Sequence, residues 1–398
     1  MDVHSPLSLL AGLTPAQFMQ RHWQKKPLLV RQAIPGLEPF LSRPELFALA
    51  GREEVESRLI VQDGAEWRMK KGPFAPRSLP ALNRPAWTLL VQGADTHCAA
   101  GHDLLRQFRF VPDARLDDLM ISFATEGGGV GPHFDSYDVF LLQASGSRRW
   151  KIGRQKNLSL QEGVPLKLLS HFEPEEEFVL EAGDMLYLPP RYAHDGVAEA
   201  ATGADGKPAA CMTYSIGFRA PGRSELASAL LQRLAEYSSD EAQTHETEPG
   251  KAASGLYSDP KQPATGSPAA LPESLVAFAE DAVKKALQDP LAMACALGEY
   301  MTEPKASVWF DAPENAIDPA DMADAGLGLA LDAKTRMMYD ANHIFINGES
   351  WRARGADARL MRRLADQRWL TAAELAKASD AALDLLGQWQ EDGWVVAG

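Results

Sequence analysis

The chain has 398 residues, 45% hydrophobic and 24% charged, the balance of a globular protein too long for a single core. Its formal charge of −14 argues against a general phosphate-backbone binder and favours basic partners. Cys98, Cys211 and Cys295 are scattered and odd in number, which excludes a disulfide frame. With no basic segment followed by an apolar run and no bilayer-length apolar stretch, the cytoplasm is expected and a membrane partner is not.

Thr14-Pro15-Ala16-Gln17 is a capping-box start with proline at the first helical position, predicting a helix to about Trp23. Lys25-Lys26-Pro27 stops it, and Leu28 to Val30 reads as a short strand. Ser42-Arg43-Pro44-Glu45 repeats the helix signal. Ser57 to Gln62 and Ala65 to Lys70 flank Asp63-Gly64, a hairpin signal. Trp87 to Gln92 and Asp117 to Thr125 follow as strands, with a helix ending near Phe108 between them. From there to Arg219 short strands are punctuated by glycine and proline, which predicts an antiparallel barrel.

Within that stretch, Gly127-Gly128-Gly129-Val130-Gly131-Pro132-His133-Phe134-Asp135 reads as a glycine turn feeding a strand. Residues i and i+2 of a strand share a face, so His133 and Asp135 are expected side by side, with Tyr137, Val139 and Leu141 following them inward. Two such ligands leave one corner of a metal site to be filled. His194, after Gly183-Asp184-Met185-Leu186-Tyr187-Leu188-Pro189-Pro190, is the candidate. Two histidines and one carboxylate on one face of an ion, the other face open, is the arrangement of non-haem Fe(II) oxygenases. Among 9 histidines a His-x-Asp arises by chance with roughly even odds, so the tripeptide alone is weak. A loop histidine bonded to a nearby carboxylate is the plainer alternative.

These motifs, with Gln143 and Arg148-Arg149-Trp150, resemble the JmjC-type cupin oxygenases, and within them the bacterial ribosomal oxygenases. The resemblance runs from Phe18-Met19-Gln20-Arg21-His22-Trp23 to Tyr214-Ser215-Ile216-Gly217-Phe218-Arg219 and more loosely beyond. It implies a mixed α+β chain: a double-stranded β-helix (cupin/JmjC) barrel, a helical dimerisation region, then a C-terminal winged-helix-like domain. It also implies Fe(II) held by His133, Asp135 and His194, with 2-oxoglutarate and O₂ as cosubstrates. Arg148 matches the basic residue that binds the distal carboxylate of 2-oxoglutarate, a task suited to a guanidinium's paired donors, with Arg149 the surface alternative. Ser122 and Thr213 match strand positions near the cosubstrate, although small hydroxyls in a barrel are as often simply packed. Tyr137 is a candidate for the substrate entrance or for barrel filling.

Beyond the barrel, Leu226, Leu230, Leu231 and Leu234 form an apolar stripe on a helix over residues 223–237. Residues 238–271 turn polar and read as a flexible loop. A helix-rich stretch from Glu273 to Glu299 carries Leu275, Phe278, Ala282 and Leu287 on one face, and the resemblance makes this region a homodimer contact. The expected domains are 1–221, 222–302 and 303–398. Arg352, Arg354, Arg359, Arg362, Arg363 and Arg368 make a locally basic patch in the last, within an acidic region, and nucleic acid is not expected as a partner.

The resemblance implies hydroxylation of an arginine side chain in a basic large-subunit ribosomal protein, with succinate and CO₂ as co-products. Histidine as the target residue stays open. A small-molecule metal cupin and a non-enzymatic dimeric adaptor are the other classes, and the complete ligand set speaks against the adaptor.

Overall fold

A capping box opens the first helix of the computed structural model, α1 (Pro15–Arg21): the Thr14 hydroxyl accepts from Gln17 N and the Gln17 side chain accepts from Thr14 N. Such a cap is worth about 1 kcal/mol. Ser42 and Glu45 start α2 (Arg43–Leu49) in the same manner. The structure describes residues 2–200, 211–246, 257–260, 263, 269, 271–313 and 316–398, with side chains outside the described set at 238–246. It divides into two units, 1–220 with 306–309, and 221–305 with 310–398.

Among the described residues the first unit is built on eleven strands: β1 (Leu28–Val30), β2 (Ser57–Asp63), β3 (Glu66–Lys71), β4 (Trp87–Val91), β5 (Leu116–Ala124), β6 (Val139–Ser145), β7 (Arg148–Gly153), β8 (Glu176–Leu180), β9 (Met185–Leu188), β10 (Ala193–Ala198) and β11 (Cys211–Phe218). A third helix, α3 (Ala99–Arg106), precedes β5. A large antiparallel sheet runs β1-β9-β6-β11-β5-β4-β2-β3, and a small one runs β10-β7-β8. The period of two sorts the strands' side chains between two cores. Phe140, Leu142, Met185, Tyr187, Phe123 and Tyr214 pack with Phe18 of α1 in the larger core. Their strand neighbours Val139, Leu141, Leu186 and Leu188 meet Trp150, Ile152 and Leu180 of the small sheet. That second core fills one part of the barrel between the sheets.

Two expectations need correcting. The strand expected through His133 and Asp135 is a single bridge, His133 with His194, at the edge of the small sheet, and regular pairing resumes only at Val139. Strand parity therefore does not carry through Tyr137, which is 41% exposed, whereas Val139 and Leu141 do turn inward. The helix expected to end near Tyr237 runs on as α4 (Arg223–Glu246), so the segment read as a loop from residue 238 begins helical. Most of the remainder, 247–270, lies outside the described residues.

In the second unit, α4 packs on α6 (Pro290–Thr302), which follows α5 (Glu273–Gln288). Leu234 is buried and Leu231 exposed. The C-terminal part joins α7 (Pro319–Asp324), β12 (Leu329–Leu331), β13 (Met337–Tyr339), β14 (His343–Ile346), β15 (Glu349–Arg352), α8 (Gly355–Gln367), β16 (Trp369–Leu370), α9 (Ala372–Leu375), α10 (Asp380–Glu391) and β17 (Val395–Ala397). Two three-stranded sheets, β16-β12-β17 and β13-β14-β15, share a core with Met361, Leu364, Leu386 and Trp389. Among the described residues no helix is long and apolar enough to cross a membrane.

Candidate metal centre

His133, Asp135 and His194 converge, each offering a ligand atom within 4.8 Å of the others. The turn before His133 depends on Gly131, whose φ of +75° suits glycine and whose absent Cβ would meet Leu168 at 2.7 Å. His133 and His194 exchange both main-chain hydrogen bonds, at 2.9 and 2.8 Å. Asp135 is tied by its own carbonyl, which accepts from Arg191 N at 2.7 Å.

The ring nitrogens are assigned by their neighbours. His133 Nδ1 lies 2.8 Å from the Gly131 carbonyl and His194 Nδ1 lies 2.9 Å from the Tyr192 carbonyl. A carbonyl can only accept, so each ring carries its proton on Nδ1 and keeps a lone pair on Nε2. His194 Nε2 stands 3.7 Å from Asp135 Oδ2. Burial, followed by the nearby His133, pushes the His194 imidazole down to about 4 against the opposing pull of Asp135. A neutral ring is the metal-binding form. Two imidazoles, each held by its Nδ1 with Nε2 left to the site, and a carboxylate fit a divalent iron.

Arg148, on β7, is 3% exposed. Its Nη1 donates to the Gly196 carbonyl and its Nη2 to Ser122 Oγ, both at a long 3.3 Å, and its Nε has no partner. No carboxylate pairs with it among the described residues. A buried guanidinium with so much donor capacity unspent is chemically suited to an anionic group. Arg149 differs: half exposed, it binds Glu199 at 2.6 Å and Glu177. Ser122 and Thr213 face one another across the β5–β11 pair and are both buried. Ser122 thus sits against Arg148, whereas Thr213 donates to Gln143 Oε1 at 2.9 Å.

Sequence reasoning missed three neighbours of these residues. Trp150 lies beside both Arg148, at 5.7 Å, and His194, at 5.8 Å, filling the place where Gly196 would carry a side chain. Asp118 shares the Ser122 face of β5, accepts from Gln92 Nε2 at 3.0 Å, and with Asp117 lies in the electrostatic surroundings of Tyr137. Asp138, fully buried, gathers donors from three distant segments. The Asp-Asp pair opening β5 was visible in the sequence, but nothing local ties it to Tyr137.

An antiparallel double-stranded β-helix that converges two imidazoles and one carboxylate is the site of a cupin-type, metal-dependent oxygenase. Residues 103–226 match the JmjC domain and residues 285–395 the ROXA-like winged helix. The chain is 33% identical, over 83% of its length and 84% of the relative's, to the ribosomal protein uL16 3-hydroxylase of Escherichia coli. It is 28% identical, over 96% of both chains, to a probable ribosomal oxygenase of Haemophilus influenzae. The X-ray structure of E. coli YcfD superposes with a TM-score of 0.81 at 30% identity, covering 97% of this chain and 98% of that one. YcfD in complex with cobalt and 2-oxoglutarate superposes at 0.77, with 30% identity and the same coverage. The chain belongs to the JmjC-domain family of ribosomal oxygenases.

Proposed function

We propose that this protein is an Fe(II)- and 2-oxoglutarate-dependent hydroxylase of an arginine side chain in a large-subunit ribosomal protein. The observation that carries this is the pairing, inside one barrel, of an imidazole and carboxylate triad with a buried Arg148 that meets no carboxylate among the described residues. Iron(II) with 2-oxoglutarate and O₂ supplies the oxidising chemistry, leaving succinate and CO₂. His133 and His194 offer Nε2 and Asp135 its carboxylate to that ion. Arg148 holds the distal carboxylate of 2-oxoglutarate, with the Ser122 hydroxyl as a second polar contact and Thr213 orienting through Gln143. The barrel excludes water and fixes the target C–H against the metal.

Tyr137, half exposed, and the carboxylates of Asp117 and Asp118 near it form the entrance for a basic side chain. A net charge of −14 draws a basic ribosomal protein toward it. The uL16 protein is the substrate to test first, since the E. coli relative is named for it. Mass spectrometry of ribosomes from a deletion strain should find one residue lighter by a single oxygen. Succinate release that requires both 2-oxoglutarate and the ribosomal fragment separates this activity from that of a small-molecule cupin. An unchanged ribosome mass overturns the proposal.

We further propose the division 1–221, 222–302 and 303–398, supported at its first boundary by the break between Ala220 and Pro221, and a cytoplasmic homodimer. Support for the dimer comes from α5, where Val276, Phe278, Val283 and Leu287 are each at least 40% exposed along an amphipathic helix. Replacing Val276 and Val283 with glutamate should yield monomers that keep the fold, as sedimentation would reveal. Leu234 is a poor probe because it is already buried within the chain.

A further inference from the structure

The metal ligand Asp135 lies in a segment that the sheets do not hold. Between the His133 bridge and Val139 no residue pairs in a strand. Three positions after Asp135, however, the Asp138 side chain is fully buried and surrounded by donors. Tyr187 of β9 donates its hydroxyl to Asp138 Oδ1 at 2.6 Å. Gln24 Nε2, just beyond α1, donates to Oδ2 at 3.0 Å, and Arg115 Nη2, just before β5, donates to the same oxygen at 3.2 Å. The assembly is closed: Gln24 N donates to the Tyr187 hydroxyl at 2.8 Å, and Arg115 also bonds the Arg219 carbonyl. The Asp138 carbonyl in turn accepts from Phe218 N at 3.1 Å. A buried carboxylate is costly unless its lone pairs are filled, and three segments far apart in sequence converge here to fill them.

We propose that Asp138 is a positioning residue for the metal centre: by binding Gln24, Arg115 and Tyr187 it clamps the segment after Asp135 and so fixes the direction of the Asp135 carboxylate. Asp138 touches none of the reacting groups. It acts through Ser136 and Tyr137, the two residues that separate it from the ligand, with the Arg191–Asp135 main-chain bond as the other anchor. The N-terminal segment thereby contributes to a metal site more than a hundred residues away through Gln24, whose left-handed backbone, φ +56°, turns both its N–H and its side chain toward Tyr187 and Asp138. This inference rests on the assignment of His133, Asp135 and His194 as ligands.

The test is Co(II) binding by the full-length protein, followed by the visible absorbance of the ion, alongside thermal melting. Asp138→Asn keeps the acceptor toward Tyr187 but turns a second donor on Gln24 and Arg115. Co(II) affinity should fall about tenfold, the scale seen when groups supporting a ligand are removed. Adding Gln24→Glu reverses donor and acceptor in that pair and returns a negative charge to Arg115, so the double variant should recover most of the affinity. Tyr187→Phe, which leaves charge and packing in place, should weaken Co(II) about threefold. Its conservative change keeps the test available if Asp138→Asn does not fold. A purely structural residue would lower the melting temperature of each variant and leave Co(II) affinity at the wild-type value, and that result overturns the clamp. Wild-type protein that fails to bind Co(II) removes the ligand assignment itself, and the clamp with it.

Discussion

Arginine appears in two regions of this molecule under opposite conditions. In the barrel, Arg148 is buried and, among the described residues, makes only two long hydrogen bonds and pairs with no carboxylate. In the C-terminal unit the basic patch is occupied. Arg362 bonds the carbonyls of Asp340 and Ala341 and lies over the Tyr339 ring, Arg363 pairs with Glu374, and Arg368 donates to the carbonyls of Asp332 and Thr335 at 2.6 and 3.0 Å. A cluster of six arginines is a candidate anion surface that its acidic surroundings already argue against, and three of the six are engaged within the chain. A single arginine in a barrel strand is the better candidate for a ligand, because its hydrogen-bonding capacity is unspent. What an arginine binds at home decides what it can bind from outside.

This contrast can be attacked at both ends. The largest effect is expected at the metal. Asp135→Ala should abolish succinate release while the melting temperature stays near the wild-type value, and full activity in that variant would remove the triad. Next, Arg148→Ala should raise the 2-oxoglutarate requirement about tenfold or more, since a charge-assisted buried pair is worth about 1.5–3 kcal/mol. Equal cosubstrate affinity measured by calorimetry would erase the distinction drawn between the two regions. A smaller effect of a different kind belongs to Arg368→Ala, which should cost about 2 kcal/mol of stability in chemical denaturation through its two lost carbonyl bonds, with cosubstrate affinity unchanged. The smallest is Arg149→Ala. Its pairs with Glu177 and Glu199 are exposed and screened by solvent, so stability should barely change, and cosubstrate affinity should stay within about twofold of wild type. A strong loss there, with Arg148→Ala silent, would reverse the register assigned to β7.

The comparison also marks what the sequence could and could not disclose. The capping boxes at Thr14 and Ser42, the Asp63-Gly64 hairpin and the strand from Asp117 are local patterns, so they are legible in the sequence. The ligand set was legible for another reason: His133, Asp135 and His194 combine residue types whose chemistry is narrow with turns that present them. The reason given for their convergence was incomplete. Parity along a strand would have sufficed had there been one, but the residues meet through a single bridge and a buried carboxylate. The Asp138 cluster joins positions 24, 115, 138 and 187, and no window of sequence contains such a contact. The end of α4 was misplaced because polar residues after Tyr237 resemble a loop, while helix propensity, with Glu and Ala continuing, carries the backbone to Glu246.

The paired main chains of His133 and His194 bear on metal choice. The rings are aimed by the Gly131 and Tyr192 carbonyls, and the two backbones are laced together by two hydrogen bonds, so the imidazoles keep their separation whichever ion lies between them. A cradle fixed in this way assembles no tighter for iron than for its neighbours in the periodic table. Ions later in the first transition row bind nitrogen and oxygen donors more strongly than Fe(II) does. Purified apoprotein should therefore take up Co(II) or Ni(II) as readily as Fe(II), a competition that metal titration would measure.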